Sequence, residues 1–325
     1  MSEYVVERIL SIYIYCGVIF LFFLLIRQSR GLNQLRSLLC VYTVILTILA
    51  FLYIPSKGAD VYRLMLIGTS LSETSWPEML KWSFDQSTPI AFVYMSFVQS
   101  LNITGALSGI TALIVISLIF SSVYTVTKKL NISNRSVAYY ILFLMSTGTF
   151  FGAISGIRFA LASAIMVNGM ISAWYGKRNY FCIVISFIVP CLIHTGLIPI
   201  AAFWLLTLFL GKELYSRFGI KIFILLCVVM TFGVFSFYIT AAFDKYDSYS
   251  GGGALFGIPM YIMSIISFFI YLGFFYSAKR NGFLNKLNES NKWILIILVF
   301  FEIFVIRDYV VFARYQYIFP FLLMP

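Results

Sequence analysis

The residues able to do chemistry in this chain stand at the edges of apolar runs. Arg158 lies in SGIRFALA, His194 in CLIHTG, Asp60 in KGADVYR, and Arg307, Asp308 and Arg314 in IRDYVVFARYQY. Arginine forks match phosphate oxygens two at a time and keep their charge where water is scarce. Several of them together suit a phosphate or pyrophosphate group. A carboxylate or imidazole beside them could take a proton from a hydroxyl, and Asp60 and His194 are the candidates for that base. Arg63 adds a further cation next to Asp60. Tyr62 and Tyr317 are natural platforms for sugar rings and hydrogen-bond partners for polar ligands, although tyrosine is also common at membrane edges. Each group has a plainer reading. Arg158 could snorkel to lipid phosphates, His194 could be a satisfied interfacial side chain, Arg307 could pair with Asp308, and Asp60 could be an ordinary loop acid. Arg314 tips the balance toward a site. It lies about two turns into an apolar run, at ~1.5 Å per residue, and charges within membrane spans usually face a bundle interior or an aqueous path. Glu302, inside the preceding run, belongs with it.

Elements that position these residues must be membrane helices. The 325 residues are 61% hydrophobic and only 11% charged, with a mean hydropathy of +0.95, whereas soluble domains carry about 25% charged residues. Runs such as IFILLCVVMTFGVFSFYI do not alternate, which excludes a barrel built of alternating strands. The fold expected is all-α and polytopic, with about eleven transmembrane helices in a single domain over 1–325. The apolar runs fall near 9–26, 37–54, 105–127, 137–153, 158–175, 180–194, 195–210, 219–242, 257–278, 292–306 and 309–325. The net charge of +11 reads as loop charge that sets orientation, not as a nucleic-acid face, since no stacking aromatics accompany it. Cys16, Cys40, Cys182, Cys191 and Cys227 all lie in apolar segments and read as small buried hydrophobes. No metal site is expected, because one histidine and scattered acids lack ligand spacing, and no cofactor is expected either. The first apolar run has no small-residue cleavage site, so no cleaved leader is expected.

Loop charge fixes the expected topology. With the amino terminus outside and 89–101 not crossing, the inner loops hold Arg27, Arg30, Arg36, Lys128, Lys129, Arg135, Lys177, Arg178, Lys212, Arg217, Lys221, Lys279, Arg280, Lys286 and Lys292, most of the 23 basic residues. Were 89–101 a span, KKLNISNR and every later loop would invert against the positive-inside rule. The segment PIAFVYMSFVQSL is therefore expected to be a half-helix on the outer side, followed by the breaker NITG. The outer loop 55–88 is long, as functional loops tend to be. Within it SWPE fits a capping box, with Ser75 as N-cap and Glu78 reaching back, opening a short helix Trp76–Phe84. Its tryptophans suit a membrane interface, either resting on lipid or closing over a substrate groove. Asp60, Arg158, His194 and Arg307–Arg314 then share the outer level.

At these residues the chain resembles the EpsG-like polysaccharide polymerases, relatives of the Wzy-type O-antigen and capsule polymerases. The matching stretches are GADVY, PIAFVY, GIRFALA, HTGLIP and RYQY, in that order. The chain departs from the family at Phe159, where relatives often carry glutamine, and stops at FLLMP soon after its last arginine motif, where relatives often continue. The resemblance implies an enzyme of the bacterial cytoplasmic (inner) membrane with its site facing the exterior. It would polymerise undecaprenyl-pyrophosphate-linked oligosaccharide units for O-antigen, capsule or exopolysaccharide, as a glycosyltransferase. It implies pyrophosphate and sugar contacts by Arg158, Arg307, Arg314, Tyr62, Arg63 and Tyr317, and a base at Asp60 or His194. Partners would be the lipid-linked oligosaccharide and membrane lipids, with chain-length regulator and flippase proteins nearby. Rival readings stay open: a flippase or other transporter of lipid-linked oligosaccharide, a membrane acyltransferase that decorates the glycan, and an intramembrane serine hydrolase. The last is disfavoured, since GAISG lacks the G-x-S-x-G elbow.

Overall fold

A computed structural model describes residues 3–57, 59–146, 149–175, 180–198 and 200–202, with isolated positions at 204, 265–266, 269, 272–273 and 276. Ten helices appear in order: α1 (Glu3–Gln28), α2 (Leu32–Phe51), α3 (Asp60–Ser72), α4 (Trp76–Phe84), α5 (Pro89–Gln99), α6 (Ala106–Leu130), α7 (Asn134–Ser146), α8 (Thr149–Ser155), α9 (Ile157–Tyr175) and α10 (Tyr180–Ile193). A 3₁₀ turn, Thr195–Leu197, follows. No strand occurs among the described residues. The ten helices fall in one compact unit that includes Met1–Thr195, and a second unit covers Gly196–Leu323.

Among the described residues three helical stretches are long and apolar enough to cross a membrane: Ser11–Gln28, Leu32–Phe51 and Ala106–Leu130. The pair α7 and α8, bent by 43°, makes a fourth if taken as one span. These helices also leave large apolar side chains uncovered. Tyr13 is 71% exposed, Phe20 59% and Val44 54%. Long apolar helices left so bare need an apolar solvent.

α6 is the axis of the unit. α2 runs antiparallel to it: Tyr42 packs on Phe120 at 5.4 Å between ring centroids, and Phe51, the last residue of α2, lies against Gly105 and Gly109 at the start of α6. α9 runs parallel to α6. The Ser108 hydroxyl donates to the Ile154 carbonyl (3.2 Å), and further along the Asn168 amide donates to the Leu118 carbonyl (3.1 Å) and to Ser122 Oγ (3.0 Å). α1 lies antiparallel to α7, with Tyr15 donating to the Met145 carbonyl (2.9 Å) and Phe23 edge-on to Tyr139. The Asn134 amide, at the start of α7, donates to Ser29 Oγ (2.8 Å) and to the Ser29 carbonyl (3.1 Å). The α1–α2 and α6–α7 connections therefore share one end, and Arg27, Arg30, Arg36, Lys128, Lys129 and Arg135 gather there.

The segment 52–104 leaves α2 and rejoins α6 at the opposite end, so α5 does not carry the chain across, as its length predicts. α4 takes the expected bounds, and α5 starts as expected but ends at Gln99 instead of 101. Three expectations are corrected. The stretch 55–88 is mostly helical, because α3 precedes α4. Val61, Leu64, Gly68 and Leu71 recur along one buried stripe, which is helical spacing. Ser75 is the N-cap of α4, but it makes no side-chain bond to the backbone. Its hydroxyl donates to Glu78 Oε2 (2.7 Å), so the carboxylate takes a hydroxyl proton in place of the backbone N–H. The run 137–153 is broken between α7 and α8. The expected runs at 219–242, 292–306 and 309–325, most of 257–278 and half of 195–210 lie outside the described residues.

The shared end can be checked by labelling. In membranes of a cysteine-free variant, Gly31→Cys and Ser133→Cys should react with an impermeant maleimide from the same side. Ser56→Cys should react from the other. Labelling of positions 133 and 56 from the same side would contradict the arrangement.

Candidate functional site

α3 starts at Asp60, after Ala59 in an extended conformation without a side-chain cap. A carboxylate in the first turn suits the positive end of the helix dipole. Arg63 Nη2 donates to Asp60 Oδ1 at 2.5 Å, one helical turn apart, and both side chains are exposed. An exposed pair at this spacing contributes only about 0.2–0.5 kcal/mol to a helix. Its consequence is positional: it holds a carboxylate and a guanidinium side by side at the surface. Tyr62, half-buried, lies between them in sequence.

α9 starts immediately after Gly156, whose carbonyl accepts the Ala160 N–H (3.0 Å). Arg158 sits half-buried in the first turn. A cation there opposes the helix dipole, at a cost of about 0.3–1 kcal/mol, so helix stability does not explain the residue. Its guanidinium and the positive end of the helix dipole add to one positive potential, which attracts anions. α10 returns antiparallel to α9, with Ser186 against Gly169. At the far end of that pairing the Phe159 ring meets His194 edge-on, 5.1 Å between centroids and 80° between planes. The His194 N–H donates to the Pro190 carbonyl (2.8 Å). Phe159 thus touches the imidazole.

Packing joins the two helix starts. Val61 and Leu64 of α3, Leu107 of α6 and Ile157 of α9 belong to one buried apolar cluster, each no more than 1% exposed. Asp60 and Arg158 flank members of that cluster in sequence. The structure therefore brings Asp60, Tyr62, Arg63, Arg158 and His194 to the end of the bundle opposite the basic loops. Arg307, Asp308, Arg314 and Tyr317 lie outside the described residues, as does Glu302. Among the described residues no group of three or more His, Cys, Asp or Glu could hold a metal.

α5 is tied down by hydroxyls that the motif PIAFVY alone does not reveal. Tyr94 Oη and Thr111 Oγ1 are 2.7 Å apart, and Thr111 Oγ1 donates to the Leu107 carbonyl (2.6 Å). The Tyr94 hydroxyl is therefore the donor to Thr111. A cavity of about 680 Å³ opens between α3 and α4, lined mainly by Leu66, Ile67, Leu71 and Trp82, with Thr74 and Glu78 among its polar groups. Trp82 and Glu78 of α4 thus line this cavity. No family model, curated protein or solved structure matches this chain.

One prediction separates the two candidate bases. Asp60→Asn keeps the size and a hydrogen-bond partner for Arg63 but removes the charge. His194→Gln keeps a donor and an acceptor but cannot take a proton. If Asp60 is the base, Asp60→Asn lowers turnover by about 10²- to 10⁴-fold and His194→Gln is mild. The reverse pattern assigns the role to His194. Equal, mild effects would exclude both.

Proposed function

We propose that this chain is a polytopic protein of the bacterial cytoplasmic membrane that polymerises glycan repeat units carried on undecaprenyl pyrophosphate at the outer leaflet. The observation that carries the reading is the gathering of Asp60, Arg63, Arg158 and His194 at one end of the helices, with the basic loops at the other. By the positive-inside rule the basic end is cytoplasmic, which puts the gathered groups outside, where lipid-linked units would be met. The apolar groove between α3 and α4 opens on the same side and suits a polyprenyl tail.

In the proposed reaction the acceptor sugar hydroxyl attacks the anomeric carbon of the growing glycan. A new carbon–oxygen bond forms as the bond from that carbon to the phosphate oxygen breaks. Undecaprenyl pyrophosphate leaves with the bonding electrons, and the hydroxyl proton passes to Asp60 or His194. Arg158, with Arg307 and Arg314, neutralises charge that develops on the leaving pyrophosphate. Fixed charges aimed at a developing anion are often the largest catalytic contribution. Tyr62, Arg63 and Tyr317 hold sugar or phosphate. Deletion of the gene tests the whole reading: surface glycan should collapse to single repeat units and recover on complementation. Unchanged chain length in the deletion strain would overturn it.

One observation favours the transporter reading. The break between α7 and α8, followed closely by the start of α9, interrupts the apolar segment that leads to Arg158, and broken helices at a substrate site are a transporter feature. Movement of a labelled lipid-linked unit across vesicles without chain growth would select that reading.

A further inference from the structure

The end of the bundle opposite the candidate site carries Arg27, Arg30, Arg36, Lys128, Lys129 and Arg135, all exposed. Their connections are held together by the Asn134 bonds to Ser29. Among the described residues no acid lies at this end. No acidic residue occurs anywhere in 8–59 or 86–212, and the one ion pair among the described residues, Arg63 with Asp60, lies at the other end. The cations therefore face one another without a described counter-charge. Leu25, half a turn before Arg27 in α1, and Leu32, at the start of α2, are 38% and 36% exposed. Cations beside uncovered apolar side chains match an amphiphile with an anionic head and hydrocarbon tails.

We infer that this end is an anionic-phospholipid site. Headgroups of the facing leaflet would settle over the joined α1–α2 and α6–α7 connections and brace the Asn134–Ser29 joint. The inference rests on the membrane reading but not on the proposed reaction. Orientation signals act as the chain inserts; this site acts on the folded protein and selects among its lipids. Each cation near an anionic surface strengthens such binding about fivefold, and salt screens it.

The test uses full-length protein in detergent with equimolar phosphatidylcholine and phosphatidylglycerol, and counts bound lipid by native mass spectrometry. Phosphatidylglycerol should be enriched at least about fivefold over phosphatidylcholine, and enrichment should fall as salt rises. The thermal midpoint should rise with phosphatidylglycerol alone. The variant R30Q/R36Q/R135Q should lose both effects, whereas K57Q/K81Q, altered at the opposite end, should keep them. Equal retention of the two lipids by the wild type overturns the inference without needing any variant. So does enrichment that survives in R30Q/R36Q/R135Q, or displacement of lipid by an acidic peptide at equal charge, which would point to a protein partner instead. Recovery of the chain in the soluble fraction after alkaline extraction would instead remove the membrane reading itself.

Discussion

Cells carrying Arg158→Ala are expected to display single-unit surface glycan while the protein remains at its normal level in the membrane. The residue is half-buried in the first turn of α9, where the dipole disfavours a cation, so α9 itself does not need the charge. Loss of a fixed group that stabilises a developing anion typically costs about 10²- to 10³-fold in rate. That is enough to leave the first unit unextended while cells grow. Arg158→Lys separates the two readings of the residue. A lipid anchor needs only a long stem and a charge, which lysine supplies. A pyrophosphate clamp needs a planar fork that lysine lacks. The expected result is therefore a short, sparse ladder for Lys and none for Ala. A full ladder with Lys would reduce Arg158 to an anchor, and a full ladder with Ala would remove it from the site.

How much of this arrangement was readable in advance varied from element to element. The bounds of α4 and α5 follow from local punctuation: Ser75 with Pro77 opens one, Thr88 with Pro89 opens the other, and NITG closes the second. α3 was hidden for a physical reason. Its 13 residues are too few to span a bilayer, so a search for long apolar runs passes over it, although Val61, Leu64, Gly68 and Leu71 carry the helical period. The bend between α7 and α8 is hidden because the flanking sequence is apolar on both sides. Within the site, charge and type could be read for Asp60, Arg158 and His194, but their mutual placement depends on helix pairing. α9 is parallel to α6 because Asn168 reaches Leu118 and Ser122. That pairing exists only in three dimensions. Phe159 shows the limit most clearly. In sequence it is a departure from a family pattern, and in the fold it is the ring against His194.

The second large effect concerns the joint that returns 52–104 to the bundle. Gly105 has φ +74°, a left-handed conformation that costs about 1–2 kcal/mol for a residue with a Cβ. A Cβ there would also collide with the Phe51 carbonyl oxygen, which is backbone and cannot swing away. At Gly109 a Cβ would collide with the Phe51 ring instead. Both alanine variants should lower the yield of folded protein, Gly105→Ala more severely, by about 2–5 kcal/mol once strain and overpacking are combined. The difference in what each Cβ meets makes a sharper claim. Phe51→Ala removes the ring but leaves the carbonyl, so it should relieve Gly109→Ala and leave Gly105→Ala as damaged as before. The coupling energy from each double-mutant cycle reads this directly: favourable for 51 with 109 and near zero for 51 with 105. If the two cycles couple equally, Phe51 does not close on α6 in this way. The equivalence of the two ends of 52–104, and with it the placement of Asp60 and Arg63 beside the start of α9, would then lose its main support.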